Sequence, residues 1–187
     1  MSADHEHRVC TYREAEDAVR AHSAIYVNDC FCRGPAQAAK GEVPYCGHPV
    51  RTCMGFKKEK DAPFEVEEFT QARALALLED WSKRGLFFRF MMDEQWICLC
   101  CSCGCGFFFD KEGRRQQDPC GKSGFIERTD GSACRNCGAC VKVCAWEARR
   151  LENGRLRVTA AQCYGCGACE HACPSHAVSM VPRGGRG

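Results

Sequence analysis

Long apolar runs are missing from this sequence of 187 residues. No stretch approaches the roughly 18 apolar residues of a membrane-spanning helix, and Arg89 interrupts the apolar run at residues 86–92. The first ten residues, MSADHEHRVC, lack the apolar core of a secretory signal peptide. The net charge is only +2, so charge gives no indication of nucleic-acid binding. We therefore expect a cytoplasmic protein with no membrane insertion and no nucleic-acid partner.

Motifs for nucleotide binding and for hydrolysis are also missing. The sequence contains no GxGxxG pattern, so it predicts no flavin or nicotinamide site. The tripeptide Gly121-Lys122-Ser123 looks like the end of a P-loop, but Gln116 stands where that motif needs its first glycine. No Ser–His–Asp set can be assigned from the spacing. The sequence therefore predicts no catalytic residue.

Cysteine, in contrast, is abundant. The chain has 19 cysteines, far above the usage of an average globular protein. Three explanations compete, namely disulfide bonds, zinc sites and iron–sulfur clusters. An odd cysteine count and the lack of a signal peptide disfavour a disulfide framework. We therefore expect reduced thiolates, many of which are metal ligands.

Two cysteine motifs near the C-terminus have identical spacing. The first, CRNCGACVKVC, places cysteines at 134, 137, 140 and 144. The second, CYGCGACEHAC, places them at 163, 166, 169 and 173, and Pro174 follows it. Every cysteine thus recurs 29 residues later, and Gly138-Ala139 recurs as Gly167-Ala168. The repeat is an internal duplication whose period is one cluster-binding unit.

This spacing suits cubane [4Fe–4S] clusters. Three thiolates spaced by two residues wrap one face of a cluster, and small residues between them let the backbone approach the sulfides. The fourth cysteine, which we expect to open a short helix, reaches the other cluster. The predicted ligands are Cys134, Cys137, Cys140 and Cys173 for one cluster and Cys163, Cys166, Cys169 and Cys144 for the other. The alternative is a pair of zinc ribbons, which use two CxxC pairs separated by a long loop.

Local signals predict two helices in the N-terminal half. Thr11 and Glu14 form a capping-box pattern at the start of a helix over residues 12–22. A second helix is predicted over residues 70–84, with Gly85 as its stop. Its expected apolar face consists of Ala72, Leu75, Ala76, Leu78 and Trp81. Short strands are predicted at residues 25–27, 86–90, 125–128 and 178–181, with a hairpin turn at Asn153-Gly154.

Nine further cysteines flank the second helix. The helix would bring the two flanking groups together, which gives ligands for one [4Fe–4S] cluster, or for two clusters with one thiol spare. The candidate metal ligands are Cys30, Cys32, Cys46, Cys53, Cys98, Cys100, Cys101, Cys103 and Cys105. His48 is interpreted as a structural or exposed residue, and Cys10 as a plain thiol. The phenylalanines at 107–109 are interpreted as core or cluster shielding.

Two family resemblances follow from these motifs. The double motif, over about residues 126–182, resembles a bacterial-type ferredoxin domain with two [4Fe–4S] clusters, although Ala145 stands where that family usually has proline. The order CFCR, CGHP, a helix ending in GL, and ICLCC resembles a group of 4Fe–4S-binding proteins of anaerobes. Their last motif is closer to ICNCCxCCC, so Leu99 and Gly104 are departures.

The resemblance implies an α+β protein of two parts. A bacterial 2[4Fe–4S] ferredoxin-like fold would occupy residues 121–187, behind a small cysteine-rich α/β module at residues 1–120. The module would add one or two [4Fe–4S] clusters to the two C-terminal ones. A role in anaerobic metabolism is also implied.

Iron–sulfur electron transfer is the function that these features favour. We expect single electrons to pass between a reductant and a partner reductase, so the chain would be a carrier or a subunit without catalytic residues. Basic residues around the first motif would favour an acidic partner; they are Arg135, Lys142, Arg149 and Arg150. Two alternatives stay open. One is a reductase subunit whose N-terminal cluster binds substrate, and the other is a redox sensor based on the Cys100–Cys101 pair.

Overall fold

The computed structural model describes residues 7–30, 32–33, 46–58, 65–91, 94–103, 105 and 120–184. The protein is a mixed α/β structure with one six-stranded antiparallel sheet and two two-stranded sheets. Its strands are β1 His7–Cys10, β2 Ile25–Asp29, β3 Arg51–Gly55, β4 Val66–Phe69, β5 Phe87–Met91, β6 Trp96–Cys100, β7 Phe125–Thr129, β8 Arg149–Glu152, β9 Arg155–Val158 and β10 Val178–Pro182. Its helices are α1 Tyr12–Ala21, α2 Gln71–Lys83, α3 Ala139–Lys142 and α4 Ala168–His171, with a 3₁₀ turn at Ala160–Gln162. None of the helices in these ranges is long and apolar enough to cross a lipid bilayer.

The two longer helices begin where the sequence predicts. The Thr11 hydroxyl accepts a hydrogen bond from the Glu14 backbone N–H at 3.2 Å, and the Glu14 carboxylate accepts one from the Thr11 N–H at 2.8 Å. This reciprocal pair satisfies two donors at the start of α1. Helix α2 begins after Thr70, whose side chain caps the Arg73 N–H, and ends before Gly85 at φ +70°. The predicted capping box, helix start and glycine stop are confirmed.

The predicted apolar face of α2 is partly wrong. Ala74, Leu78 and Trp81 are fully buried, whereas Ala72 and Ala76 are exposed. Alanine and leucine alternate through this helix, so several faces have apolar residues. The face with Trp81 and Leu78 is buried because large side chains remove the most apolar surface from water.

The six-stranded sheet has two different faces. Its strand order is β1-β5-β6-β3-β2-β4, and successive residues of a strand point to opposite faces. Ile97 and Leu99 of β6 pack into the main core with residues of α1 and α2. Cys98 and Cys100 of the same strand belong to a separate cluster on the opposite face. The cysteines thus line the sheet face that the two long helices leave uncovered.

The C-terminal strands match the prediction. β7 pairs antiparallel with β10, and β8 and β9 form a hairpin. Asn153 and Gly154 connect the hairpin with φ values of +50° and +74°, which are the positive values that a type I′ turn requires. Two equivalent backbone hydrogen bonds, each 2.8 Å long, join Asp130 to Ala177 and Thr159 to Ala148. The two donors, Asp130 and Thr159, are 29 residues apart, and so are the two acceptors, Ala148 and Ala177. Each repeat unit therefore donates one bond to the other, as expected for two units related by an approximate two-fold axis.

The short helices lie before the fourth cysteine of each motif, and the prediction that this cysteine opens a helix is wrong. α3 contains Cys140 and ends before Cys144, and α4 contains Cys169 and ends before Cys173. Each helix starts directly after a glycine, Gly138 or Gly167, with φ of +76° or +79°. The left-handed glycine lets the chain turn from the cysteine loop into the helix, so the helix starts one motif position earlier than expected.

The N-terminal sheet contacts the start of the C-terminal part. The Val9 N–H donates to the Gly121 carbonyl at 2.9 Å, and the Gly121 N–H donates to the His7 carbonyl at 2.8 Å. Gly121 therefore covers the outer edge of β1. The domain boundary predicted between residues 120 and 121 falls within this contact.

Candidate iron–sulfur and metal centres

The first C-terminal cavity is lined by cysteines of both motifs. Cys134, Cys137 and Cys140 come from the first motif, and Cys173 comes from the second. The Asn136 side chain accepts a hydrogen bond from the Leu156 N–H at 2.8 Å, which ties this cysteine loop to the β8–β9 hairpin. Leu156 and Val178 add apolar walls. The structure thus brings together the four thiols that the sequence assigns to one cluster.

The second C-terminal cavity has the converse arrangement. Cys163, Cys166 and Cys169 of the second motif line it together with Cys144 of the first. Trp146 and Tyr164 form an aromatic wall, with their rings stacked at a centroid distance of 4.6 Å. Four thiols around one enclosed space are the donor set of a cubane cluster. The residues present in both cavities therefore fit a [4Fe–4S] group.

The two cysteine loops have the same backbone path. Positive φ values occur at three pairs of positions that are 29 residues apart. The pairs are Asn136 and Gly165, Gly138 and Gly167, and Glu147 and His176. Such values cost energy for residues other than glycine. Their recurrence shows that the sequence duplication extends to the conformation that aims the cysteines at each cavity.

Arg149 was expected to face a partner, and this prediction is wrong. Its side chain is 1% exposed and forms an ion pair with Glu127 at 2.9 Å. Arg149 lines the second cavity beside Cys169. Burial opposes its charge, yet Cys169 and Glu127 raise the pKa of Arg149. It therefore places a fixed positive charge next to a thiol of the second cavity, while Arg135, Lys142 and Arg150 stay on the surface.

Residues 133–177 match the family model of the 4Fe-4S dicluster domain. This range contains all eight cysteines of the two cavities, so the C-terminal part of the chain contains a ferredoxin-type dicluster domain. The N-terminal cysteines lie outside the matched range. No curated protein matches the chain.

Six of the nine N-terminal cysteines form a closed ring of sulfur contacts, here called the six-cysteine ring. Its members, in order around the ring, are Cys30, Cys32, Cys105, Cys100, Cys98 and Cys53. The Sγ atoms of Cys53 and Cys98 are 3.5 Å apart, and those of Cys100 and Cys105 are 3.9 Å apart. The ring brings together thiols separated by up to 75 positions in the chain.

The sheet topology explains why these thiols meet. β2 and β6 both end at the sheet edge where β3 begins, because β3 is antiparallel to both. Cys53 and Cys98 are direct partners across β3 and β6. The segments that follow β2 and β6 add the remaining thiols at the same edge. The second helix separates these groups in sequence, as predicted, but it is the sheet that brings them together.

Among the ring thiols only Cys30 has a lowered pKa, whereas hydrogen bonds within the ring and burial raise the pKa of the other five. Cys32 and Cys53 donate hydrogen bonds to Cys30, which lowers the pKa of Cys30 to about 2, and the same bond raises the pKa of Cys53 well above its ordinary value. Arg89, 2% exposed, lies beside the ring. Burial opposes its charge, but Cys100 and Cys98 raise the pKa of Arg89. A buried cation stabilises neighbouring thiolates, the form that binds metals.

The ring and the dicluster domain are joined by aromatic side chains. Phe87 contacts Trp146 edge-to-face with ring centroids 4.6 Å apart. Trp146 and Tyr164 belong to the same buried cluster as Cys98 and Cys100 of the ring. Since both aromatics also line the second cavity, they lie between that cavity and the ring and exclude water there.

The other three N-terminal cysteines form a separate group with a histidine. The ligand atoms of Cys46, His48, Cys101 and Cys103, here called the Cys–His group, all lie within 4.8 Å of one another. His48 was expected to be structural or exposed, and the structure instead places it among three thiols. Burial, followed by the nearby charges of Arg33 and Arg84, lowers the pKa of His48. The adjacent Cys100 and Cys101, considered as a redox pair, belong to different groups.

Sequence reasoning did not assign a role to several residues of these sites. They are Arg33, His48, Arg89, Trp146 and Tyr164. The 29-residue repeat does not single out the aromatics, because many other positions of the repeat also differ. Trp146 corresponds to Ser175, and Tyr164 corresponds to Arg135. The phenylalanines at 107–109 lie outside the described residues.

Proposed function

We propose that this protein is an iron–sulfur electron carrier that passes single electrons between a reductant and a partner reductase. The observation that supports this most is the pair of cavities, each lined by three cysteines of one motif and the fourth cysteine of the other. That exchange is the ligation pattern of two-cluster ferredoxins. None of the 19 cysteines forms a disulfide, which accords with a reducing, cytoplasmic compartment.

The proposed ligands follow from the two cavities. Cys134, Cys137, Cys140 and Cys173 hold one [4Fe–4S] cluster, and Cys163, Cys166, Cys169 and Cys144 hold the second. A third cluster is held by thiols of the six-cysteine ring. Each bound cluster supplies a centre that takes up and releases one electron. The fold of residues 121–187 is proposed to be that of a bacterial ferredoxin.

The chain's own residues set the properties of these centres. The Ala177 N–H donates to the Cys173 sulfur at 3.3 Å, and Arg149 places its charge beside Cys169. Hydrogen bonds to sulfur and nearby positive charge both stabilise the more negative, reduced state. Trp146 and Tyr164 exclude water from the side of the second cavity that faces the ring. The two cavities therefore differ in polarity although their ligand sets are equivalent.

A partner would dock at the first cavity. Cys137 there is exposed, and Arg135 and Lys142 are exposed beside it, which favours an acidic redox partner. The ring is less accessible, since Cys30, Cys98, Cys100 and Cys105 are all buried. This burial favours electron transfer over the alternative in which an N-terminal cluster binds substrate.

Iron and acid-labile sulfide per chain, measured after anaerobic purification, test the proposal together with EPR of the reduced protein. About eight of each correspond to two loaded clusters, and about twelve correspond to a third cluster in the ring. Electron transfer is then measured as reversible one-electron reduction and reoxidation without substrate turnover. Iron without stoichiometric sulfide would contradict the proposal.

Removing one proposed ligand gives a sharper result. Cys137→Ser should lose one cluster, about four irons and four sulfides, because three thiolates hold a cubane weakly. Cys10→Ala is the matched control, since Cys10 is a buried thiol of the main core outside both cavities and the ring. An unchanged iron content in Cys137→Ser would rule out the ligand assignment.

A further inference from the structure

The Cys–His group differs from the other thiol clusters in its composition. It combines three thiols with one imidazole, and its four ligand atoms lie within 4.8 Å of one another. The Sγ atoms of Cys46 and Cys101 are 3.6 Å apart. Tetrahedral zinc with Zn–S bonds of about 2.3 Å places pairs of sulfur ligands about 3.8 Å apart.

We propose that Cys46, His48, Cys101 and Cys103 bind a single zinc ion in a closed Cys₃His site, separate from every iron–sulfur cluster. Four protein ligands of this type are typical of structural zinc. The site does not depend on the electron-transfer function proposed above. It divides the nine N-terminal cysteines into six for the ring and three for zinc.

The four ligands come from two short segments of the chain, each here called an arm. Cys46 and His48 lie in the segment before β3, and Cys101 and Cys103 directly follow β6. Because β3 and β6 are antiparallel neighbours, the start of one and the end of the other lie at the same sheet edge. Each arm supplies two ligands separated by one residue. One ion therefore ties two segments together where the backbone leaves the sheet.

Charge balance supports a divalent ion at this position. Arg33 is 1% exposed, and its guanidinium donates to the Cys101 sulfur at 3.9 Å and to the Thr52 hydroxyl. Among the described residues, no carboxylate forms an ion pair with it. A buried charge needs a counter-charge. Three thiolates and one divalent ion leave a single negative charge, which Arg33 offsets.

Trp81 holds both the cation and the imidazole in place. The Arg33 guanidinium stacks on its ring at 4.7 Å, and the His48 ring contacts it edge-on at 5.9 Å. The Trp81 indole N–H donates to the Cys100 carbonyl at 3.3 Å. The side chains around the Cys–His group are thus fixed by a fully buried residue of α2. Residues that orient the ligands are a regular part of metal sites.

Wild-type protein, purified anaerobically from a medium that supplies both iron and zinc, provides the direct test. Metal analysis should give about one zinc per chain in addition to iron. Zinc-edge X-ray absorption should show three sulfurs at about 2.3 Å and one nitrogen at about 2.0–2.1 Å. The absence of stoichiometric zinc, or a zinc shell of four sulfurs, would overturn the proposal. This measurement needs no variant and is unaffected by folding defects.

Three variants give independent readouts. His48→Cys should keep zinc and change its shell from three sulfurs to four, which a merely structural histidine would not do. Cys101→Ser should weaken zinc binding by at least about tenfold and retain the iron of the dicluster domain. Its neighbour Cys100→Ser, which alters the ring, should retain zinc. Loss of zinc from Cys100→Ser together with its retention in Cys101→Ser would reverse the assignment.

Discussion

Two buried arginines supply positive charge to the cysteine-rich edge of the sheet. Arg33 and Arg89 are 1% and 2% exposed. Arg33 contacts the Cys–His group through Cys101, and Arg89 lies beside Cys98 and Cys100 of the ring. Arg33 also lies near Cys30 of the ring, so it contributes positive charge to both thiol groups. In the sequence Arg89 is only an interruption of an apolar run, because the pairing that places it opposite Cys98 is a property of the sheet.

Neutralising Arg89 should change the redox potential of a cluster held by the ring. Arg89→Gln removes a buried positive charge that stabilises the more negative, reduced state. The midpoint potential should fall by on the order of 60 mV, which is a tenfold change in a one-electron equilibrium. EPR-monitored redox titration measures it. Arg89→Lys should restore most of the shift, and exposed Arg150→Gln should leave the potential unchanged. A potential that does not move in Arg89→Gln would show that the ring holds no redox centre.

Residue types and spacing predicted the eight C-terminal cysteines because the information is local. Each motif lies within eleven consecutive residues, so its cysteine spacing can be recognised without knowledge of the fold. His48 could not be assigned in this way. Its nearest thiol in sequence is Cys46, and the other two thiols of the group are more than 50 positions away. These residues lie next to the ends of two different strands, so the group can be recognised only when the pairing of those strands is known.

At the level of elements, local signals were again the reliable ones. The capping box at Thr11 and the Asn153-Gly154 turn involve hydrogen bonds or dihedral angles within four residues. The buried face of α2 and the position of α3 depend on what packs against them. Gly138 determines where α3 starts, because its positive φ turns the loop into the helix. Spacing alone does not show that the turn comes before the fourth cysteine.

Substitution of two glycines of the dicluster domain can distinguish the cost of a left-handed backbone from the cost of steric overlap. Gly154 and Gly165 both have φ of +74°, but only at Gly165 would a Cβ overlap neighbours, the Phe125 carbonyl and the Ser123 hydroxyl. Gly154→Ala should lower the free energy of unfolding by about 1 kcal/mol, the cost of a left-handed alanine. Gly165→Ala should cost clearly more and should reduce the iron content. Anaerobic thermal denaturation compares the two. Equal losses of stability in the two variants would show that the loop at Gly165 can shift to accommodate a Cβ.

The lysine and serine side chains of Gly121-Lys122-Ser123 have a structural role instead of binding a nucleotide. The Ser123 hydroxyl donates to the Gly165 carbonyl at 2.8 Å, and Lys122 donates to the Ala161 carbonyl at 2.5 Å. Both side chains are used to hold the second cysteine loop against β7. Gln116, which stands in place of the first glycine of a P-loop, excludes the motif independently.

On the scale of the whole molecule, an aromatic contact joins the sheet to the dicluster domain. Phe87 of β5 packs on Trp146, and Trp146 stacks on Tyr164. Sequence motifs describe each half but not their docking, because the contact surface is built from residues that are far apart in the sequence.

Truncating this contact should expose the second cavity. Trp146→Ala should cost about 3–5 kcal/mol, as large-to-small changes of buried aromatics do. It should also speed the release of iron from the dicluster domain to a chelator. Trp96→Ala is the matched control, since Trp96 is equally 8% exposed but packs against Gly55 in the sheet. Equal rates of iron release in the two variants would mean that the aromatic contact does not protect the cavity.

The pairing of β1 with Gly121 imposes an order on biosynthesis. The strands of the N-terminal sheet end at Cys100, so they leave the ribosome before Gly121, which covers the outer edge of β1. Until then the outer edge of β1 offers unpaired backbone groups to any other nascent chain, and open edges of this kind promote aggregation. That edge closes once residue 121 has left the ribosome and pairs with β1. A chain that stalls or is cleaved before this point would expose the unpaired edge of β1 together with the N-terminal thiols, and it would be prone to aggregation.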